Sequence, residues 1–249
     1  MLNELKAEFK KVFSVRSTYI IFGLMLALLI FFGFYVGGWH TDKLDLLDPT
    51  RLYRITQQSI TFLAIFPALI ALLLFTHEFR YNTISYSLTL SNNRSKVLAS
   101  KIIVISIVAV IATAVVGLLS PLLANWGIHA NHLKLIPQHY YYLSITWKGL
   151  VYGWGYAMAG LVIAALIRNQ IGALITLFVV PDTVEGLLGI WLKNNIVYLP
   201  FSALHTMLGV DMNGTTSPIT PFGAMLVFLG YLAFGWIIAW YLFLKKDAL

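Results

Sequence analysis

The chain has no cysteine among its 249 residues. Disulfide frameworks, thiolate metal sites and cysteine nucleophiles are thereby excluded. Charge is scarce too. Only 11% of residues are Asp, Glu, Lys or Arg, against about a quarter in an ordinary soluble domain. No G-x-x-x-x-G-K-[ST] run occurs, so the chain has no P-loop to cradle nucleotide phosphates. G-x-S-G is missing, as is a Glu-Glu pair of the kind used by CAAX-type proteases. His77-Glu78 opens an H-E-x-x-H zinc motif, but Tyr81 stands where the second His belongs. We expect no catalytic residue and no metal-ligand set in this chain.

What is present is apolar. Hydrophobic residues make up 59% of the sequence, a content that needs a bilayer as solvent. Six runs, at 18–38, 56–76, 102–125, 147–167, 171–191 and 222–244, can each cross a hydrocarbon core of about 30 Å at about 1.5 Å per residue. The first is longer than a typical signal core and no A-x-A-like site follows it, so it reads as an anchor. Pro181, Asp182 and Glu185 interrupt the fifth.

The formal charge of +7 could point to nucleic acid. However, the bases flank the apolar runs and build no basic face, so they read as topology signals. With the N-terminus inside, the cytosolic pieces hold Lys6, Lys10, Lys11, Arg16, Arg80, Arg94, Lys96, Lys101, Arg168, Lys245 and Lys246. The other side holds Lys43, Arg51, Arg54, Lys134, Lys148 and Lys193. The bias puts both termini in the cytosol of a multi-pass plasma-membrane protein.

Residues 2–16 form an amphipathic helix. Leu2, Leu5, Phe9, Val12 and Phe13 make its apolar side; Asn3, Lys6, Lys10 and Lys11 make the other, which faces anionic headgroups in the membrane interface. Asp48 can cap the second span, with Pro49 in its first turn and a kink near Pro67. Trp126, Tyr140, Tyr141, Tyr142 and Trp147 are interfacial anchors. His129, His132 and His139 share that loop, with no carboxylate near enough to complete a zinc set.

After the fifth span, Asp182 and Glu185 stand one helical turn apart, and Val184, Leu187, Leu188 and Trp191 supply an apolar face. Lys193-Asn194-Asn195 breaks the run, and 201–208 is an amphipathic piece too short to span. Paired half-helices dipping into the outer leaflet produce this pattern, and charge at membrane depth faces protein or water. We expect an outer gate over 181–209 that uses Asp182, Glu185, Leu188, Phe201 and Leu204.

The longest polar segment on the cytosolic side runs from His77 to Lys101. Residues 77–90 can continue as helix, with Tyr81, Ile84 and Leu88 on a face that His77 extends. Ser91-Asn92-Asn93 breaks it, and a new helix runs through Ser95–Lys101 into the third span. Glu78 is followed four residues on by Asn82-Thr83, and Arg94 seven residues on by Lys101. In these features the chain resembles the ABC-2-type permeases, the membrane subunits of a class of ABC exporters, along its full length. Their cytosolic segment often carries Gly-Thr after the Glu and Pro-x-x-Arg before the Lys. Here Asn82 stands for the Gly and Ser91 for the Pro, which puts the turn geometry in doubt.

The resemblance implies an all-α fold of one domain, 1–249: an interfacial helix (1–17), six transmembrane helices, a cytosolic coupling helix between spans 2 and 3 (77–101) and short re-entrant helices between spans 5 and 6 (181–209). It implies a transport path without its own engine. A separate cytosolic ATPase, in two copies, would bind ATP and Mg, and a second permease chain would complete the path as a homodimer or heterodimer. Glu78, Arg80, Thr83, Ile84, Leu88 and Arg94 would dock the ATPase. The cargo would be amphipathic or hydrophobic: a peptide antibiotic, a drug or a lipid-linked molecule. The competing readings are a substrate-binding membrane component of a small-molecule importer and a secondary transporter. The latter favours an inverted repeat and midplane acids, whereas Asp182 and Glu185 fall near one end of their span.

Overall fold

Backbone N–H and C=O groups find no water inside a bilayer, so an apolar run must pair them within itself, as a helix does. The computed structural model describes residues 2–40, 45–81, 94–139, 142–210 and 218–245, and among them there is no strand. Six helical stretches are long and apolar enough to cross a membrane: Arg16–Trp39, Arg51–Arg80, Ser95–Ala130, Leu143–Ile167, Gln170–Tyr198 and Pro221–Phe243. The protein is an all-α, six-span membrane protein.

The chain opens with α1 (Leu2–Ser14). Helix α2 (Arg16–Ile30) continues to Trp39 as nine residues of wider π-helix. That stretch presses on α5 (Arg94–Ala130) through glycines: a Cβ at Gly38 would lie 2.5 Å from the Ala124 carbonyl oxygen, and one at Gly127 would lie 2.3 Å from that of Phe34. Small residues let membrane helices meet backbone to backbone.

The second span is α3 (Arg51–Leu63) and α4 (Ile65–Arg80), broken at Ala64. Pro67 has no N–H for the Leu63 carbonyl, so the ladder fails where the kink is expected. The start of this span differs from expectation. Pro49 precedes the helix, and its carbonyl accepts the His139 N–H at 2.7 Å. Asp48 closes a local turn instead of capping: Oδ1 accepts the Thr50 N–H and hydroxyl, each at 2.8 Å. The Thr50 N–H, then the Thr50 hydroxyl, hold the Asp48 carboxyl below its usual range, against a smaller effect of burial. The far end differs as well. Helix α4 stops at Arg80, with Tyr81 as its C-cap, where the pattern allowed helix through residue 90. Residues 82–93 lie outside the described ones.

Helix α6 (Tyr142–Ile167) follows, then α7 (Gln170–Val179), a π-turn at Val180–Val184, α8 (Glu185–Leu192), a 3-10 stretch at Lys193–Tyr198, α9 (Pro200–Leu208) and α10 (Pro221–Lys245). Helices α8 and α9 are 8 and 9 residues long, too short to cross a bilayer. Packing separates a centre from a rim. In the second and fourth spans 67% of the apolar window is buried, against 22% in the first, fifth and sixth. Helix α4 lies on α6, α5 on α3 and α6, and α9 on α6 and α10.

Candidate functional site

Two polar clusters interrupt this apolar bundle, one at each end of the second span. The first cluster forms where α1, the last turn of α4 and the start of α5 meet. Lys101 Nζ lies 2.8 Å from Glu8 Oε2 and 2.6 Å from Glu78 Oε1. Lys11 Nζ lies 2.6 Å from Glu8 Oε1 and 2.6 Å from the same Glu78 Oε1. Lys101, Glu8 and Glu78 are buried, at 0%, 2% and 5% exposure. Two cations and two anions thus neutralise each other, three of them out of water and Lys11 at the edge, 34% exposed; pairing is the condition under which buried charge is tolerated. Burial pulls the Lys11 ammonium down, but attraction to Glu78 and then Glu8 outweighs it and leaves its pKa raised.

The sequence pattern placed Lys11 on the face of α1 turned to anionic headgroups and gave Glu8 no place in a cluster. The structure turns both inward. The available signal was Glu8 itself, which shares a helical stripe with Leu5 and Val12. Val12 is buried, and Leu5 and Phe9 pack on the core, so this face of α1 rests on protein. Lys6 and Lys10 stay exposed.

The expected docking residues separate. Glu78 belongs to the ion cluster and presents almost no surface to a partner. Arg80 is exposed, donates to Gln170 Oε1 at 3.0 Å and lies 5.5 Å from the Tyr81 ring. Thr83, Ile84 and Leu88 lie outside the described residues. Arg94 begins α5, but its side chain is not among those described.

The second cluster holds α9. Glu185 Oε1 accepts the Phe201 N–H at 2.9 Å, and Oε2 accepts the Ser202 N–H and hydroxyl, each at 2.6 Å. This buried carboxylate therefore satisfies N–H groups that the first turn of a helix leaves unpaired, and it meets the positive end of the helix dipole. Four residues on, His205 Nδ1 faces the Phe201 carbonyl at 2.8 Å, and Nε2 faces the Tyr152 hydroxyl at 3.0 Å. Tyr156 meets Phe201 at a tilt of 57°, with ring centroids 5.2 Å apart. At the other end of α9, where Gly209 closes the helix at φ 87°, Gln57 Nε2 of α3 donates to the Leu208 carbonyl at 2.9 Å.

Of the expected gate residues, Glu185, Phe201 and Leu204 come together in this buried cluster, while Asp182 and Leu188 are exposed. The two acids differ in burial: Glu185 starts α8 inside the protein, while Asp182, within the π-turn, is exposed. Gln57, Tyr152, Ser202 and His205 were not foreseen as members. A glutamine and a tyrosine inside apolar runs were the signal, since polar groups at that depth need partners.

The model of the family described as ABC-2 family transporter protein matches residues 4–181. The chain belongs to that family. No curated protein matches it. The matched stretch of this ABC-2 protein includes α1, both broken halves of the second span and α5, hence all four residues of the ion cluster. It ends just before Glu185 and α9. The second span of the ABC-2 chain reaches both clusters: Gln57 touches α9, and Glu78, about 31 Å further along a helix of 1.5 Å rise, joins α1 and α5.

Proposed function

We propose that this ABC-2 membrane component is the permease subunit of an ATP-driven exporter. It would work as one of two permease chains, with two copies of a separate cytosolic ATPase that binds ATP and Mg. The supporting observation is the second span. It is one helix with a break at Ala64, tied at the inner end to α1 and α5 through Glu78 and at the outer end to α9 through Gln57. An ATPase pressing on the segment between α4 and α5 pushes the ion cluster, and α4 carries that displacement to the break. Beyond it, α3 shifts the C-terminal end of α9. A two-state element biased from one end and read at the other is what coupling requires.

In this reading Arg80 and the residues from Thr83 to Arg94 meet the ATPase, while Glu78 acts from inside by keeping α1, α4 and α5 moving together. Glu185, Phe201 and Leu204 close the outer exit. The termini are cytosolic, and the cargo is amphipathic or hydrophobic, of the class of peptide antibiotics, drugs or lipid-linked molecules.

The test is to co-express the chain with a cytosolic ABC ATPase from the same genome and reconstitute the pair in proteoliposomes. Stable co-purification and cargo movement that needs hydrolysable ATP support the reading. Equal transport by the chain alone would overturn it, as would protease access to residues 82–93 from the exterior of intact cells.

A further inference from the structure

In the outer half of the bundle, α3, α5 and α6 leave a cavity of about 90 Å³ whose lining includes Ile60, Thr113, Ala114, Gly117, Thr146 and Gly149. Its making is legible in the side chains. Gly117 and Gly149 withhold the atoms that would fill it, and a Cβ at Gly149 would stand 2.7 Å from Ile60 Cδ1. Leu118, 65% exposed, and Thr146, also exposed, sit at its mouth.

The depth of the cavity fixes what lies outside that mouth. Counted from Arg51, the outer end of the second span, Ile60 lies about 13 Å down; counted from Leu143, Gly149 lies about 9 Å down. Both depths fall within the outer half of a hydrocarbon core about 30 Å thick. The mouth therefore opens on lipid tails and not on water. An apolar cavity stays dry, and one of about 150 Å³ takes up benzene. Left empty, its wall atoms lack dispersion partners on one side. A volume of this size suits the last few methylenes of one chain.

We infer that this cavity is a binding site for the end of an acyl chain of an outer-leaflet phospholipid. The floor gives the site a consequence. Ile60 and Thr113 also wall a narrow gap shared with Leu63, Ala64 and Pro67, at the break of the second span. A chain seated above them braces α3 just outside the hinge. That consequence rests on the transport reading; the binding does not.

The test uses the full chain in phospholipid nanodiscs without the ATPase, so that its outcome is independent of transport. Trace phosphatidylcholine carrying a diazirine near the end of one acyl chain is photolysed, and labelled residues are mapped by mass spectrometry. The expected result is heavier labelling at Gly117, Leu118 and Leu150 than at the lipid-facing Ile175 and Phe178 of α7. A Cβ at Gly117 meets only Ile60 Cδ1, at 3.8 Å, so Gly117→Leu fills the site without disturbing the backbone. It should cut labelling at Leu118 and Leu150 about tenfold, the effect of losing burial of roughly two methylenes, and leave Ile175 and Phe178 unchanged. Ala114→Val, a smaller filler, should give an intermediate loss. The inference is overturned by equal labelling at the cavity and at α7, or by labelling undiminished in Gly117→Leu with an unchanged melting temperature. It is also overturned by protection of Leu118 together with a crosslink there between two copies of the chain.

Discussion

Lys101, a lysine with no exposed surface, holds its ammonium 2.6 Å from Glu78 Oε1, across 23 residues of sequence. The bond closes the inner ends of the second and third spans on each other. Glu8 completes the pairing from α1, so that removing one member strands charge in a dry site.

Lys101→Met is therefore expected to be worse than the loss of one contact. Breaking a buried pair from one side costs roughly 3–5 kcal/mol. The melting temperature should fall and ATPase co-purification should weaken. Glu78→Gln with Lys101→Met should recover part of the stability, and a double-mutant cycle on thermal unfolding measures the coupling. Strict additivity of the two substitutions would count against the ion cluster.

Alkaline pH should release α1. The Lys11 pKa is raised in the folded protein. Its contribution is thus complete below the ordinary lysine value of about 10.4 and is lost as pH climbs through the shifted value. Hydrogen exchange in α1 should stay protected from neutral pH to the onset of that titration. Lys11→Met should abolish the alkaline transition.

Glu185→Gln should loosen α9 while sparing the inner end. An amide can accept through one oxygen only, where the carboxylate takes three donors. A buried donor left unpaired costs about 1–3 kcal/mol. Transport should fall while ATPase co-purification stays at the wild-type level. Loss of both together would mean that Glu185 supports the fold at large.

Gly153→Ala should be poorly tolerated, because its Cβ would stand 1.9 Å from Thr113 Oγ1. Overpacking of this kind costs about 1–3 kcal/mol. Thr113→Ala in the same chain should restore part of the melting temperature, since it removes the clashing hydroxyl. No recovery would place the strain elsewhere.

Pro67→Ala is the informative change at the hinge. It supplies an N–H for the Leu63 carbonyl and favours an unbroken second span. Thermal stability should rise and ATP-dependent transport should drop. A rise in both would remove the break at Ala64 from the mechanism.

The spans were legible because the length of an apolar run is a direct reading of bilayer thickness. The break near Pro67 followed from one missing donor. The ion cluster was only half legible. Glu78 and Lys101 stood out by spacing, but the partners contributed by α1 did not, because helical periodicity divides a face from its opposite without saying which face another helix covers. Lys11 looked solvated for that reason. Asp182 and Glu185 fared differently: three residues apart, they share a face in an α-helix, yet Glu185 is buried and Asp182, inside the π-turn at Val180–Val184, is exposed. Such a turn leaves no composition signal beyond Pro181, and the N–H donors that reach Glu185 come from residues 16 and 17 positions later.

At Gly38 and Gly127 the first and third spans meet backbone to backbone, and beside them Phe34 lies edge-on to Trp126 while Asn131 Nδ2 donates to the Trp39 carbonyl. With ring, amide and bare backbone all engaged, the two rods form a single plank at that end. A bulky side chain at Gly38 or Gly127 would therefore act as a wedge, prising the plank into two separate rods.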